Sequence, residues 1–204
     1  MPIQLTVDGG TETQYMGDIH GFLRATYTPA NADIPGVVSL KSTDNLPIEG
    51  IWSQLLHFTG HDLKAVILSG RSDSIINIGL ELHMLLFKWL WPKIVKQAID
   101  TFIRYWNGHR VRKQKEKILP SGVCPRDVYE NLVQYGLTHA GIKVPKDVVD
   151  ELRTRLPKSR EECMRWVPAS FNVQATAVYQ ALGCPTLSVA NGWDIFTSML
   201  AKLQ

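Results

Sequence analysis

Residues 3–13, IQLTVDGGTET, decide how this chain is read. Ile3, Leu5 and Val7 alternate with Gln4 and Thr6, the period-two pattern of a short strand, and Asp8-Gly9-Gly10 stops it. Working outward, Ile19, Phe22 and Leu23 form one stripe of a helix predicted over Gly17 to Tyr27. TPANADIPG is a loop by composition, and Val37 to Leu40 reads as a second strand. Asn45 is a fitting N-cap, with Pro47 in the first turn of a helix that carries Ile48, Trp52, Leu55 and Leu56. That helix is expected to stop near Gly60, with a further piece from Asp62 towards Leu68. A strand, a crossover helix and a second strand imply a parallel pair with a right-handed connection.

The rest of the sequence is helical in pattern. Leu80 to Tyr105 carries Leu82, Leu85, Leu86, Trp89, Leu90, Ile94 and Phe102, with Pro92 expected to kink or split it. A turn-rich connector follows, then helices near Pro125 and over KVPKDVVDELRTRL. Ser159 and Glu162 have capping-box spacing before Met164 and Trp166. Phe171 to Leu182 should end at Gly183, and Val189, Trp193, Phe196, Leu200 and Leu203 form a buried stripe. The fold class is therefore α/β and helix-dominated: two short parallel strands with a crossover helix, then a helical C-terminal region.

Composition sets the outer limits. An apolar fraction of 45% with 20% charge in 204 residues describes a folded chain, and +3 is too small a net charge to announce nucleic acid by itself. Cys124, Cys163 and Cys184 form no CxxC pair, which fits a reducing compartment. The opening MPIQLTVDGG lacks the features of a signal peptide, and the stretch from Met84 is interrupted by Lys88, Pro92 and Lys93. A nuclear or cytoplasmic protein with no membrane partner is expected.

Three features could carry chemistry. Asp8 closes a strand beside two glycines that let a metal or phosphate approach the backbone; alone, it also reads as a turn aspartate. Forty residues separate Asp8 from Glu49, which lies in the first turn of the helix after the second strand, where the macrodipole by itself favours an acid. A β-α-β-α path brings both carboxylates to one end of the strand pair, where they can share a divalent cation. The third feature is residues 104–117, in which Arg104, Arg110, Arg112, Lys113, Lys115 and Lys117 face Glu116 alone. With Tyr105, Trp106 and His109 at its leading edge, this segment suits phosphate contact, and a solvated connector is the plainer alternative. His57 and His61 share the i, i+4 spacing of zinc ligands, but HFTGH offers no acidic base after His57 and no third ligand, so zinc is not expected. Trp89, Trp91 and Trp193 fall among apolar residues and read as core.

Taken in order, these pieces resemble a known family. IQLTVDGGTET is similar to the segment around the second catalytic aspartate of integrase and transposase cores of the ribonuclease H-like superfamily, commonly D-x-G-T-E. KSTDNLPIEGIW resembles the S-x-x-N-x-x-I-E-x-x-W stretch that carries the family's catalytic glutamate. FKWLWPKIVKQAIDTFIRYWNGHRVRKQKEKILPSG resembles the long helix and basic connector of fungal, transposon-derived integrase-core proteins. The likeness covers about residues 3–125, which would be the catalytic core, and leaves 126–204 as a helical appendage.

The resemblance implies a D-D-E site that holds two Mg²⁺ (or Mn²⁺) ions for DNA strand transfer or cleavage. Asp8 would be the second aspartate and Glu49 the glutamate, both as metal ligands. Gly10 and Thr11 would shape the loop beside them, and Asn45 would cap the glutamate's helix. Arg104, His109, Arg110, Arg112, Lys113, Lys115 and Lys117 would meet nucleic acid. The family's first three strands, with its first aspartate, have no counterpart in this sequence, so a truncated and inactive core is expected. In the family the first strand lies beside the fourth, so its loss would leave an open edge through which copies could associate. The alternative is a non-catalytic module that binds DNA or protein through residues 104–117.

Overall fold

The computed structural model describes residues 1–8, 10, 13–28, 33–41, 44 and 46–204, except for the side chains of 46 and 47. Its described part is helix-dominated, 61% helical, with two short parallel strands. The chain forms two compact units, each made of two separate segments: residues 1–53 with 112–159, and residues 54–111 with 160–204.

In the first unit, β1 (Leu5–Asp8) pairs in parallel with β2 (Val37–Leu40), Leu5 opposite Val37 and Asp8 opposite Leu40. The strand expected over residues 3–7 thus lies further along, and Asp8 is its last residue. The crossover is α1 (Gln14–Tyr27), which starts three residues earlier than the sequence stripe suggested. Its entry is set by a turn in which the Thr13 hydroxyl donates to the Gly10 carbonyl at 2.7 Å.

The buried face of α1 also differs from expectation. Phe22 is 57% exposed, while His20, Leu23 and Arg24, at i, i+3 and i+4, are buried. A two-stranded ribbon is narrow and cannot cover a wide apolar stripe. The helix meets it instead through polar tethers. His20 Nε2 donates to the Pro2 carbonyl at 2.9 Å, and Arg24 Nη1 donates to the Ile34 carbonyl at 2.6 Å. These bonds hold α1 to the residues that lead into both strands. Met1 and Ile142 exchange backbone bonds, each at 2.7 Å, joining the ribbon's segment to the one that carries α5 (Pro125–Glu130) and α6 (Lys146–Thr154).

After β2, α2 (Leu46–Leu55) leads into a π-helical turn, Leu56–Gly60, and then α3 (His61–Ser72). The stop expected at Gly60 does not occur. The π turn accommodates the glycine within the helical path, and Leu56 packs over it, its Cδ1 3.0 Å from where a Cβ would stand.

The second unit is built around α4 (Glu81–Gly108). Pro92 does not split it: the helix is continuous through the proline, although the missing N–H and the ring clash weaken a helix interior by about 3 kcal/mol. Packing offsets that loss, because Leu86, Trp89, Leu90, Trp91 and Ile94 on either side of Pro92 are all core residues. α8 (Ala169–Ala181) and α9 (Gly192–Leu203) complete the core with Phe171, Ala175, Trp193, Phe196 and Met199. Two indole bonds fix the arrangement. Trp89 Nε1 donates to Asn172 Oδ1 at 2.9 Å, and Trp193 Nε1 donates to the Val66 carbonyl at 2.6 Å. α8 ends at Ala181 with Leu182 as its C-cap, and Gly183 just beyond takes φ 79°, the left-handed position its place in the sequence suggested. α7 (Arg160–Cys163) is a single turn, so Met164 and Trp166 lie outside it, half exposed.

Candidate functional site

Asp8 is the last residue of β1, and its exposed side chain stands at the end of the ribbon from which the chain leaves β2. The next element after β2 is α2, whose first turn carries the exposed Glu49. Parallel pairing puts the ends of both strands, Asp8 and Leu40, side by side. The C-terminal edge of parallel strands is where open sheets of this class bind ligands. Among the described residues, neither carboxylate forms a salt bridge. Gly10 accepts the Thr13 bonds that close the loop after Asp8. Thr11 and Asn45, to which the resemblance gave roles, lie outside the described residues.

The donor set can be compared with what a metal needs. Mg²⁺ keeps several waters and is held by one or two carboxylates together with substrate oxygens. Asp8 and Glu49 have the hard oxygen chemistry for one such ion. Among the described residues, no group of three or more His, Cys, Asp or Glu side chains is arranged to hold a metal. The two-ion centre of a complete D-D-E site is therefore not built from them. His57 and His61, both exposed, pack edge to face with ring centroids 5.6 Å apart.

The basic segment passes from one unit to the other at Val111 and Arg112. In the second unit it forms the end of α4 and residues 109–111. His109 Nδ1 donates to the Trp106 carbonyl at 2.6 Å, and the imidazole stacks on Tyr105 at 5.7 Å and leans on Trp106 at 4.8 Å. Arg104 and Arg110 are exposed there. In the first unit, the Gln114 N–H donates to the Ser121 hydroxyl, which in turn donates to the Gln114 carbonyl, both at 2.9 Å. This clasp closes a loop that displays Lys115, Lys117 and a fully exposed Ile118. Gly122, at φ 81°, brings the backbone against Lys113. Arg112, Lys113, Lys115 and Lys117 are exposed, and none is in a salt bridge among the described residues.

Sequence reading missed a groove of about 950 Å³ in the second unit, between α4 and residues 161–172. Phe87, Trp91, Pro92, Val95, Ile99, Met164 and Trp166 line it, with Lys88, Lys93, Lys96, Arg165 and Glu161 among them. Lys93 Nζ lies 3.5 Å over the Trp89 ring and donates to the Trp89 carbonyl; burial lowers its pKa from 10.5 to about 8. The available signal was Met164 and Trp166 themselves, two large apolar residues just before Pro168.

Among the described residues no helix is long and apolar enough to cross a membrane. Comparison of the chain with protein-family models, with curated proteins and with solved structures finds no match.

Proposed function

We propose that the chain is a partial integrase core of the ribonuclease H-like kind, derived from a fungal transposon, that binds one Mg²⁺ or Mn²⁺ ion through Asp8 and Glu49 and does not cut DNA as these 204 residues. The observation that carries this reading is the placement of the two acids: Asp8 ends β1, and Glu49 opens the helix that follows the parallel partner β2. The bound ion would supply Lewis-acid stabilisation for phosphate oxygens. The residues' own part is to hold it at the ribbon's edge, Asp8 from the strand and Glu49 from the first helical turn. Mn²⁺ titration followed by electron paramagnetic resonance tests this. Asp8→Asn and Glu49→Gln should each weaken binding at least ~10-fold, the ratio for loss of one charged ligand. Wild-type protein that leaves Mn²⁺ free, or Mg²⁺-dependent cleavage of labelled DNA abolished by Glu49→Gln, overturns the reading.

A second reading is supported by the four cations of residues 112–117 that have no carboxylate partner among the described residues: a non-catalytic module that binds the DNA backbone. Each phosphate interaction removed should flatten the dependence of log affinity on log salt by about 0.9. Replacing Arg112, Lys113 and Lys115 by Gln should therefore flatten it by about 3 while Asp8→Asn leaves it unchanged. Absence of DNA binding at low salt ends this branch. The ribbon has two strands among the described residues, so association of copies along a ladder edge belongs to the same proposal; sedimentation across a range of concentrations tests it.

A further inference from the structure

The groove in the second unit is independent of the carboxylate pair and of the basic segment. Its volume, about 950 Å³, lies within the range of small-molecule sites, about 300–1,000 Å³. Its floor follows α4 from Phe87 to Ile99, a run of about 18 Å at about 1.5 Å per residue. Along that run the wall is apolar, from Trp91 and Pro92 to Val95 and Ile99. The opposite wall includes Met164 and Trp166, which are 53% and 57% exposed and lie outside any helix, so their apolar surface has no cover within this unit's core. Trp91 is 2% exposed, and its indole N–H has no acceptor among the described residues.

The charges lining the groove are one-sided. Lys88, Lys93, Lys96 and Arg165 stand against Glu161. Asp100 partly neutralises Lys96 at 2.5 Å, which leaves Lys88, Lys93 and Arg165 as the cations without a carboxylate partner among the described residues. Lys93 is held on the Trp89 face, and its lowered pKa is what burial without a counter-ion produces. An apolar trough rimmed by exposed cations favours a ligand with a long apolar body and one negative end, because a carboxylate gains attraction at the rim that an uncharged ligand lacks, while a cationic ligand is repelled.

We propose that this groove binds long-chain carboxylates, the hydrocarbon chain lying along α4 and the carboxylate meeting Lys88, Lys93 and Arg165. A single chain fits a trough of this length and volume within one unit, and the ion pair sets its direction.

Dodecanoate, below its micellar concentration, is the probe. Titration calorimetry of the whole chain should show saturable one-to-one binding, with a matching change in tryptophan fluorescence from Trp166. Dodecyltrimethylammonium carries the same chain with the opposite charge and should bind at least ~10-fold more weakly. Lys88→Glu combined with Arg165→Glu should reduce dodecanoate affinity by a similar factor while circular dichroism stays unchanged. Equal affinity for the two surfactants, non-saturable uptake, or full affinity in the charge-reversed variant overturns the proposal. If that variant does not fold, the comparison of the two surfactants on the wild-type protein decides alone. Capture of an acidic amphipathic peptide with no dodecanoate binding also overturns it, by showing a protein-docking groove instead.

Discussion

Among the described residues, the first unit buries Leu23 and Ile142 as its hydrophobic side chains, together with the polar His20 and Arg24. The second buries Leu86, Leu90, Trp91, Ile94, Phe196 and Met199 almost completely, and Phe87, Tyr179 and Leu200 pack on their outside. The first unit is thus joined by directional bonds from α1 to the strand entries and by the ladder between β1 and β2. The second is joined by contact among large apolar side chains, with indole bonds fixing the orientation of its helices. This difference separates two tasks: the exposed acids stand on the unit with few apolar contacts, while the unit with a dense core presents an apolar groove.

The largest expected effect comes from removing one core side chain in each unit. Phe196→Ala should destabilise the second unit by about 3–5 kcal/mol, since a fully buried ring leaves a cavity its neighbours cannot close. Leu23→Ala should cost about 2 kcal/mol, the low end for leucine truncation, because fewer apolar neighbours surround it. Amide hydrogen exchange resolves the two units separately. An equal loss of protection in both would show that the first unit holds a core as dense as the second.

A glycine substitution should change sign between the units. A Cβ at Gly70 in α3 would stand 1.9 Å from Trp193 Cζ2, so Gly70→Ala must displace the indole and should cost about 1–3 kcal/mol. Among the described residues, nothing lies within 4 Å of the same position at Gly21 in α1. Gly21→Ala should therefore stabilise its helix by about 0.5–1 kcal/mol, the gain of alanine over glycine in a helix interior. Chemical denaturation of both variants checks the pair; a neutral Gly70→Ala would mean that the indole moves freely.

How legible the fold was in the sequence depends on how local each feature is. β2 over Val37–Leu40 and the end of α8 just before Gly183 were readable because alternation and a helix-terminating glycine are local signals. The same holds for Trp89, Trp91 and Trp193, whose apolar neighbours marked them as core. Gly60 and Pro92 misled because each is a local breaker overruled by what surrounds it, a π turn in one case and core packing on both sides in the other. The face of α1 was misread because hydrophobicity favours Phe22, whereas the narrow ribbon takes His20 and Arg24 through hydrogen bonds. Asp8, the last residue of β1, and Glu49, in the first turn of α2, stand on the elements that local alternation and helix-start signals marked. The groove was not, because it joins α4 to residues 161–172, which are distant in sequence, and no periodicity within either segment shows the space between them.

The smallest expected effect concerns Lys93. Burial holds its amine near pKa about 8, against 10.5 for a free lysine. Between those values the unfolded chain keeps a proton that the folded chain gives up, so stability should rise with pH across that window. Below about 8 both states are protonated and the partial desolvation of the ammonium weakens the fold; above 10.5 both are neutral and that cost vanishes. Lys93 remains partly open to water and its ammonium is in contact with the Trp89 ring, so the slope should be shallow. Lys93→Met removes the titrating group and keeps the apolar stem, so denaturation midpoints of the variant should lose this rise between pH 8 and 10. Lys93 belongs to the second unit, so exchange protection in the first should be the same in both proteins across the window. An identical pH slope in wild type and variant would mean that folding does not perturb the amine's titration, and that solvent screens it as fully as in the unfolded chain.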